Sequence, residues 1–275
     1  MDQQIELPRF LQESLIPSLP TSAYYIPNFI TVAEEEELLH KVSIHSILPW
    51  VQHTNLAIQI NTAPQPIWKH LAHRRLQAHP SPLSPSNTLL DASLPKWLSE
   101  PFIPRLLSIP VSPESQEHIF SLSPHSRPNH CLINEYQVGE GIHSHLDGDA
   151  YYPCVSTISL QASIVLDIFP KPDLYRNDHS VPQAVEQGDK GWRVLQEPRS
   201  LLITTGDLYT KCMHGIEAID ADSGLDEVRI ANWSLLGNKE EYKSGHKARD
   251  TRVSLTFRDV IRVKKVGKAF SNLIK

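Results

Sequence analysis

The chain has 275 residues, 40% of them hydrophobic, with a formal net charge of −5. That length suits one large domain or two small ones, and the acidic balance argues against a nonspecific DNA binder, which needs a basic surface. No apolar run reaches the roughly 18 residues of a membrane span, MDQQIELPRF lacks the pattern of a secretory signal, and three cysteines (Cys131, Cys154, Cys212) form no disulfide framework.

A reducing compartment is therefore expected, cytoplasm, nucleus or both, with no membrane partner. In chain order, residues 23–30 (AYYIPNFI) read as a short strand rich in aromatic and β-branched residues. Thr31 and Glu34 form a Thr-x-x-Glu capping box, and Leu38, Leu39 and Val42 supply an apolar stripe, so a helix is expected over 31–44. Residues 49–79 carry a weak pattern of strands and loop. The prolines of HPSPLSPS (79–86) make it a loop. A second helical pattern surrounds 96–98 and 105–107, interrupted by Pro101 and Pro104.

From residue 129 the texture changes to short β-type runs at 131–136, 155–160, 163–169, 200–205, 228–236 and 252–260. Two polar connections, 171–193 and 238–250, read as surface insertions without chemistry. There is no internal repeat. The expected organisation is an N-terminal helical region, 1–128, packed on a β-domain, 129–275. Two basic stretches stand out, Trp68 to Arg75 and Arg262 to Lys268. Each reads either as a solvated face or as a phosphate-contacting surface.

The run GEGIHSHLDGDAYYP (139–153) sets His143, His145, Asp147 and Asp149 at alternate positions. On one strand, two imidazoles and two carboxylates would share a face. His145-x-Asp147 offers a nitrogen and an oxygen ligand, and His214, after a later β-type run, can supply a third. Two histidines and one carboxylate leave three metal positions open, which suits an Fe(II) oxygenase. The residues alone leave rivals standing: a surface hydrogen bond, a His143-x-His145 metal pair, or a zinc hydrolase.

Two neighbours of this motif matter. Asn134 and Tyr136 share a strand face and can donate to a carboxylate. Along 252–258, Arg252, Ser254, Thr256 and Arg258 alternate with Val253, Leu255 and Phe257. Arginine grips a carboxylate in bidentate fashion, although the same pattern also describes an amphipathic strand with its polar face in water.

In this order, Asn134-x-Tyr136, His145-x-Asp147, His214 and Arg252 to Arg258 with Ser-Leu-Thr-Phe between resemble the AlkB family of Fe(II)- and 2-oxoglutarate-dependent dioxygenases. Residues 24–30 resemble its opening segment, and 148–160 and 197–202 look most like the sixth AlkB homologue subgroup. The resemblance implies an α+β, mainly β fold, with a double-stranded β-helix (jelly-roll) core and N-terminal helices and lid. It implies that His145, Asp147 and His214 hold Fe(II) and are catalytic. Arg252 would pair with the distal carboxylate of 2-oxoglutarate, with Asn134 and Tyr136 assisting, and Ser254 and Arg258 would steady the other end. His143 and Asp149 fall outside the family pattern. The implied activity, with O2, is oxidative demethylation of an alkylated base in DNA or RNA; Trp50, Trp68 and Tyr151 are candidate base stackers. The alternatives are hydroxylation or demethylation of a protein or small molecule, or nucleic-acid binding with little turnover.

Overall fold

The computed structural model describes residues 5–19, 23–47, 68–90, 93–171 and 191–264. A 3-10 turn, Leu11–Ser14, precedes strand β1 (Ala23–Ile26) and helix α1 (Val32–Ile47). The capping box is complete: Glu34 N–H donates to Thr31 Oγ1 at 3.1 Å, and Thr31 N–H donates to the Glu34 carboxylate at 2.8 Å. Of the expected 49–79 region, residues 49–67 lie outside the described residues. The remainder forms a hairpin of β2 (Lys69–Leu71) and β3 (Arg74–His79), so His79 closes a strand before the proline-rich loop begins. After β4 (Leu89–Leu90), the second helical pattern becomes α2 (Lys96–Ser99) and α3 (Phe102–Leu107). Pro101 separates them, and Pro104 is tolerated because it falls in the first turn of α3, where N–H groups have no intrahelical partner.

The β-rich part contains β5 (His130–Tyr136), β6 (Ile142–His145), β7 (Tyr151–Leu160), β8 (Ile164–Pro170), β9 (Trp192–Gln196) and β10 (Leu201–Thr205). Helix α4 (Gly206–Lys211), β11 (Cys212–Ile216), β12 (Ala221–Ser223), β13 (His246–Ala248), β14 (Arg252–Val260) and β15 (Val263–Lys264) complete it. A seven-stranded sheet runs β1-β10-β7-β14-β5-β3-β2, and a four-stranded sheet runs β6-β11-β8-β9. Neighbours in both are antiparallel. This is the expected mainly β jelly roll. The large sheet draws β1, β2 and β3 from before residue 129.

The outward face of the large sheet carries the main core. Val253, Leu255 and Phe257 of β14 join Ile133, Ile158 and Ile203, and the helices cover them with Leu38, Val42, Leu98, Phe102 and Leu106. Burying such side chains stabilises the packing by roughly 1.5–3 kcal/mol each. The alternate residues of β14 face the second sheet, and all nine of its residues are buried. Its polar face therefore lines an interior cavity, not water. No helix among the described residues is long and apolar enough to cross a membrane.

Three expectations are corrected. Residues 228–236 form no extended strand: the Asn232 amide donates to Leu195 O and accepts from Leu195 N–H, replacing ladder bonds, and a 3-10 turn, Trp233–Leu235, follows. In the 171–193 connection, residues 172–190 lie outside the described residues, while Trp192 and Arg193 belong to β9. Residues 238–250 are an integral part of the fold, because Tyr242 is fully buried, β13 pairs with β12, and Arg249 forms an enclosed ion pair with Asp222.

Candidate metal and cosubstrate site

The antiparallel pairing of β6 and β11 sets His145 directly opposite His214, with ring centroids 4.6 Å apart. Glycine permits the close approach of the two backbones beside this pair. A Cβ on Gly141 would lie 2.3 Å from Ile216 O, and one on Gly215 would lie 3.0 Å from Ile142 O. Asp147 follows just past the end of β6. One ligand atom from each of His145, Asp147 and His214 lies within 4.8 Å of the others.

The surroundings prepare these groups as ligands. His145 Nδ1 stands 2.9 Å from the His143 carbonyl oxygen, which can only accept, so Nδ1 donates this bond and Nε2 is the nitrogen left for a metal. Burial pushes the His214 imidazole down to about 4, against the pull of Asp147, so the ring is neutral at neutral pH. Arg258 reaches across from β14 and donates to Asp147 Oδ1 at 2.6 Å. That bond leaves the second carboxylate oxygen available.

Within β6 the pairing His214↔His145 and Ile216↔Ile142 sets three steps against two, a bulge that breaks the alternation between His143 and His145, and the strand ends at His145, so the four polar residues do not share one pocket. His145 and Asp147 line the cavity between the sheets. His143 instead meets His73 edge-on at 6.0 Å in a separate surface concavity, and Asp149 is exposed.

The cavity has a volume of about 260 Å³. Arg252, Ser254 and Arg258 enter it from β14, and Asn134 and Tyr136 enter from β5, in the register Arg252↔Tyr136 and Ser254↔Asn134. Arg252 is 2% exposed. Its Nη2 donates to Ser159 Oγ at 2.9 Å and Gln196 Oε1 at 3.2 Å, and its guanidinium lies 5.8 Å from the Tyr136 ring centroid. Arg252 Nε has no hydrogen-bond partner, and no carboxylate pairs with this guanidinium among the described residues. Burial lowers its pKa to about 10. An enclosed cation held only by neutral oxygens is costly, and a bound carboxylate relieves that cost.

Sequence reasoning did not find Ser159, Gln196 or Tyr209. Ser159 and Gln196 are single polar residues beside apolar neighbours, which is a weak signal. Tyr209 lies on the unexpected helix α4, lines the cavity, and donates to Gly148 O at 3.2 Å. Of the candidate stackers, Trp50 lies outside the described residues. Trp68 lies 4.3 Å under the Arg75 guanidinium and Tyr151 lies 4.7 Å under that of Arg258.

Such a fold and such a cavity define an oxygenase. Residues 22–258 match the 2OG-Fe(II) oxygenase superfamily, and the chain belongs to it. Within it the chain is of AlkB type. It is 32% identical over 255 residues to the Danio rerio protein "Probable RNA/DNA demethylase ALKBH6", covering 92% of each chain. It is 26% identical over 257 residues to the Xenopus tropicalis tRNA (carboxymethyluridine(34)-5-O)-methyltransferase alkbh8, covering 91% of this chain and 33% of that one. Among solved structures, OsALKBH1 is similar with a TM-score of 0.49 at 16% identity, covering 88% of this chain and 99% of that one. A Pseudomonas putida prolyl-4-hydroxylase has a TM-score of 0.45 at 11% identity, with 91% and 99% covered. The family's groups are Fe(II), 2-oxoglutarate and O2. The residues present fit them: a nitrogen–nitrogen–oxygen donor set for the metal, and an uncompensated buried guanidinium for a carboxylate.

Proposed function

We propose that the protein oxidatively demethylates an alkylated nucleobase in DNA or RNA. His145, Asp147 and His214 would hold iron, Arg252, Asn134 and Tyr136 the distal carboxylate of 2-oxoglutarate, and Ser254 and Arg258 its other end. The observation that carries the proposal is a two-histidine, one-carboxylate cluster in the same cavity as a buried arginine without an anion. When bound, iron, 2-oxoglutarate and O2 supply a C–H hydroxylation that yields succinate and carbon dioxide, and a hydroxylated N-methyl group leaves as formaldehyde. The chain's own residues do the positioning. Arg258 orients the Asp147 carboxylate, the His143 carbonyl sets the His145 tautomer, and Leu132, Val155 and Ile168 give the cavity dry walls.

Nucleic acid as substrate is supported by the 32% identity to a relative named as a probable RNA/DNA demethylase. The β2–β3 hairpin adds exposed Lys69 and His70 beside the cavity-lining Arg74. A nuclear or cytoplasmic location accords with such a substrate. Residues 129–275 would supply most of the oxygenase core, with 1–128 adding β1, β2 and β3 to its large sheet and the helices that cover it. The test incubates iron-loaded protein and 2-oxoglutarate with N-methylated DNA and RNA oligonucleotides and follows succinate and formaldehyde. Both should rise together and vanish in Asp147→Ala. Turnover that survives this substitution overturns the ligand assignment, and formaldehyde released only from methylated proteins or metabolites overturns the nucleic-acid substrate.

A further inference from the structure

Among the described residues, the cavity is lined by three guanidiniums, from Arg74, Arg252 and Arg258, and one carboxylate, Asp147. Arg258 holds that carboxylate. Arg252 and Arg74 have no carboxylate partner among the described residues. The two neighbouring arginines of β3 therefore differ in kind. Arg75 turns to the far face of the sheet, where it makes two bonds of 2.7 Å and 2.6 Å to Glu135. Arg74 alternates with Leu76 and so faces the cavity.

The register defines where Arg74 works. β5 lies between β3 and β14, and Leu76 and Ser254 both pair with Asn134. Arg74 Nε donates to Asn134 Oδ1 at 3.3 Å. From the other side, Arg252 pairs in register with Tyr136. Two guanidiniums thus approach the Asn134–Tyr136 stretch from opposite neighbouring strands, and the phenol between them provides a further donor. Burial pushes the Tyr136 phenol up, against the pull of both arginines, so it stays protonated. An arginine has five N–H donors, and Arg74 uses one here.

We infer that Arg74 is a second arginine for the distal carboxylate of 2-oxoglutarate, closing on it opposite Arg252 and making the β2–β3 hairpin part of the cosubstrate site. The inference rests on the assignment of Arg252 to that carboxylate. Its consequence is that the hairpin carrying the exposed Lys69 and His70 shares a residue with the cosubstrate site.

The experiment measures equilibrium binding by calorimetry to Mn(II)-loaded full-length protein, without turnover. 2-Oxoglutarate is compared with 2-oxobutanoate, which keeps the keto acid and lacks the distal carboxylate. Arg74→Gln should weaken 2-oxoglutarate by about ten- to a hundredfold, the effect of a lost charged hydrogen bond. It should leave 2-oxobutanoate and Mn(II) affinity unchanged, and Arg74→Lys should fall between Gln and wild type. Unchanged 2-oxoglutarate binding in Arg74→Gln, or an equal loss for both keto acids, overturns the inference. Arg252→Gln separates the two levels: if it also leaves 2-oxoglutarate binding unaltered, the carboxylate site itself is misassigned and Arg74 falls with it.

Discussion

Arg258 donates to Asp147 across a gap of 2.6 Å, and both side chains are largely enclosed. The bond joins β14 of the large sheet to the segment just past β6 of the small one, so it ties a candidate metal ligand to the opposite wall of the cavity. Outer partners of this kind orient ligating carboxylates, and their loss typically lowers metal affinity by about 10- to 100-fold. Arg258→Met should therefore weaken Mn(II) binding by that factor, measured by competition with a chelator. Equal metal affinity in a folded variant would show that Asp147 is held by something else.

The two glycines flanking the paired histidines give a second prediction. The Gly141 site has no room for a methyl group beside Ile216 O, and the obstacle is backbone, which cannot rotate away. Gly141→Ala should push β6 from β11, cost about 1–3 kcal/mol in urea unfolding, and lower metal affinity. Gly148 is the control, since a Cβ there meets nothing within 4 Å. Gly148→Ala should remain within about 0.5 kcal/mol of wild type. Equal stability of the two variants would remove the steric account of the β6–β11 approach.

Much of the site was legible because its chemistry is written at short spacing. His145 and Asp147 are two residues apart, and the alternation along β14 sorts its apolar from its polar residues over Arg252 to Arg258. The direction of that polar face was not legible, since a period of two is the same whether the face meets water or a cavity. Only the pairing of β14 between β5 and β7 decides it. Residues 228–236 misled for a related reason: their β-type composition is overridden by one amide, Asn232, bonded to Leu195 on another segment. The polar 238–250 stretch hid Tyr242 and Arg249, whose burial depends on residues far away in the chain. Arg74 and Gln196 likewise gain meaning only from strands that sequence order does not place beside them.

Acid should act on the helical cover through Glu34. Its carboxylate accepts bidentate bonds of 2.9 Å and 2.6 Å from Arg105 while capping α1. Burial alone would raise its pKa, but the Arg105 guanidinium and the Thr31 N–H outweigh burial and hold it below the usual carboxylate range. A folded pKa depressed in this way contributes stability that is full above the unfolded value, about 4.3, and is lost as pH falls through the folded one. Glu34→Gln should cost about 1–2 kcal/mol at pH 7. The gap between variant and wild type should close on acidification, and a gap independent of pH would mean that the charge contributes nothing.

The Arg249–Asp222 pair extends the same logic to the small sheet. Arg249 Nη2 and Nε donate to the two Asp222 oxygens at 2.7 Å and 3.0 Å, and both side chains are at most 3% exposed. Arg249 also donates to Glu217 O, one residue past the strand that carries His214. Arg249→Met leaves Asp222 charged and enclosed, which should cost about 3–5 kcal/mol. Replacing both, Arg249→Met with Asp222→Leu, should recover most of that loss because no buried charge remains. The Glu217 carbonyl still loses its donor in the double variant. If that bond steadies β11, metal affinity should stay reduced even where stability returns. Urea unfolding and chelator competition on the same two variants separate these effects, and a double variant no more stable than the single one would refute the charge argument.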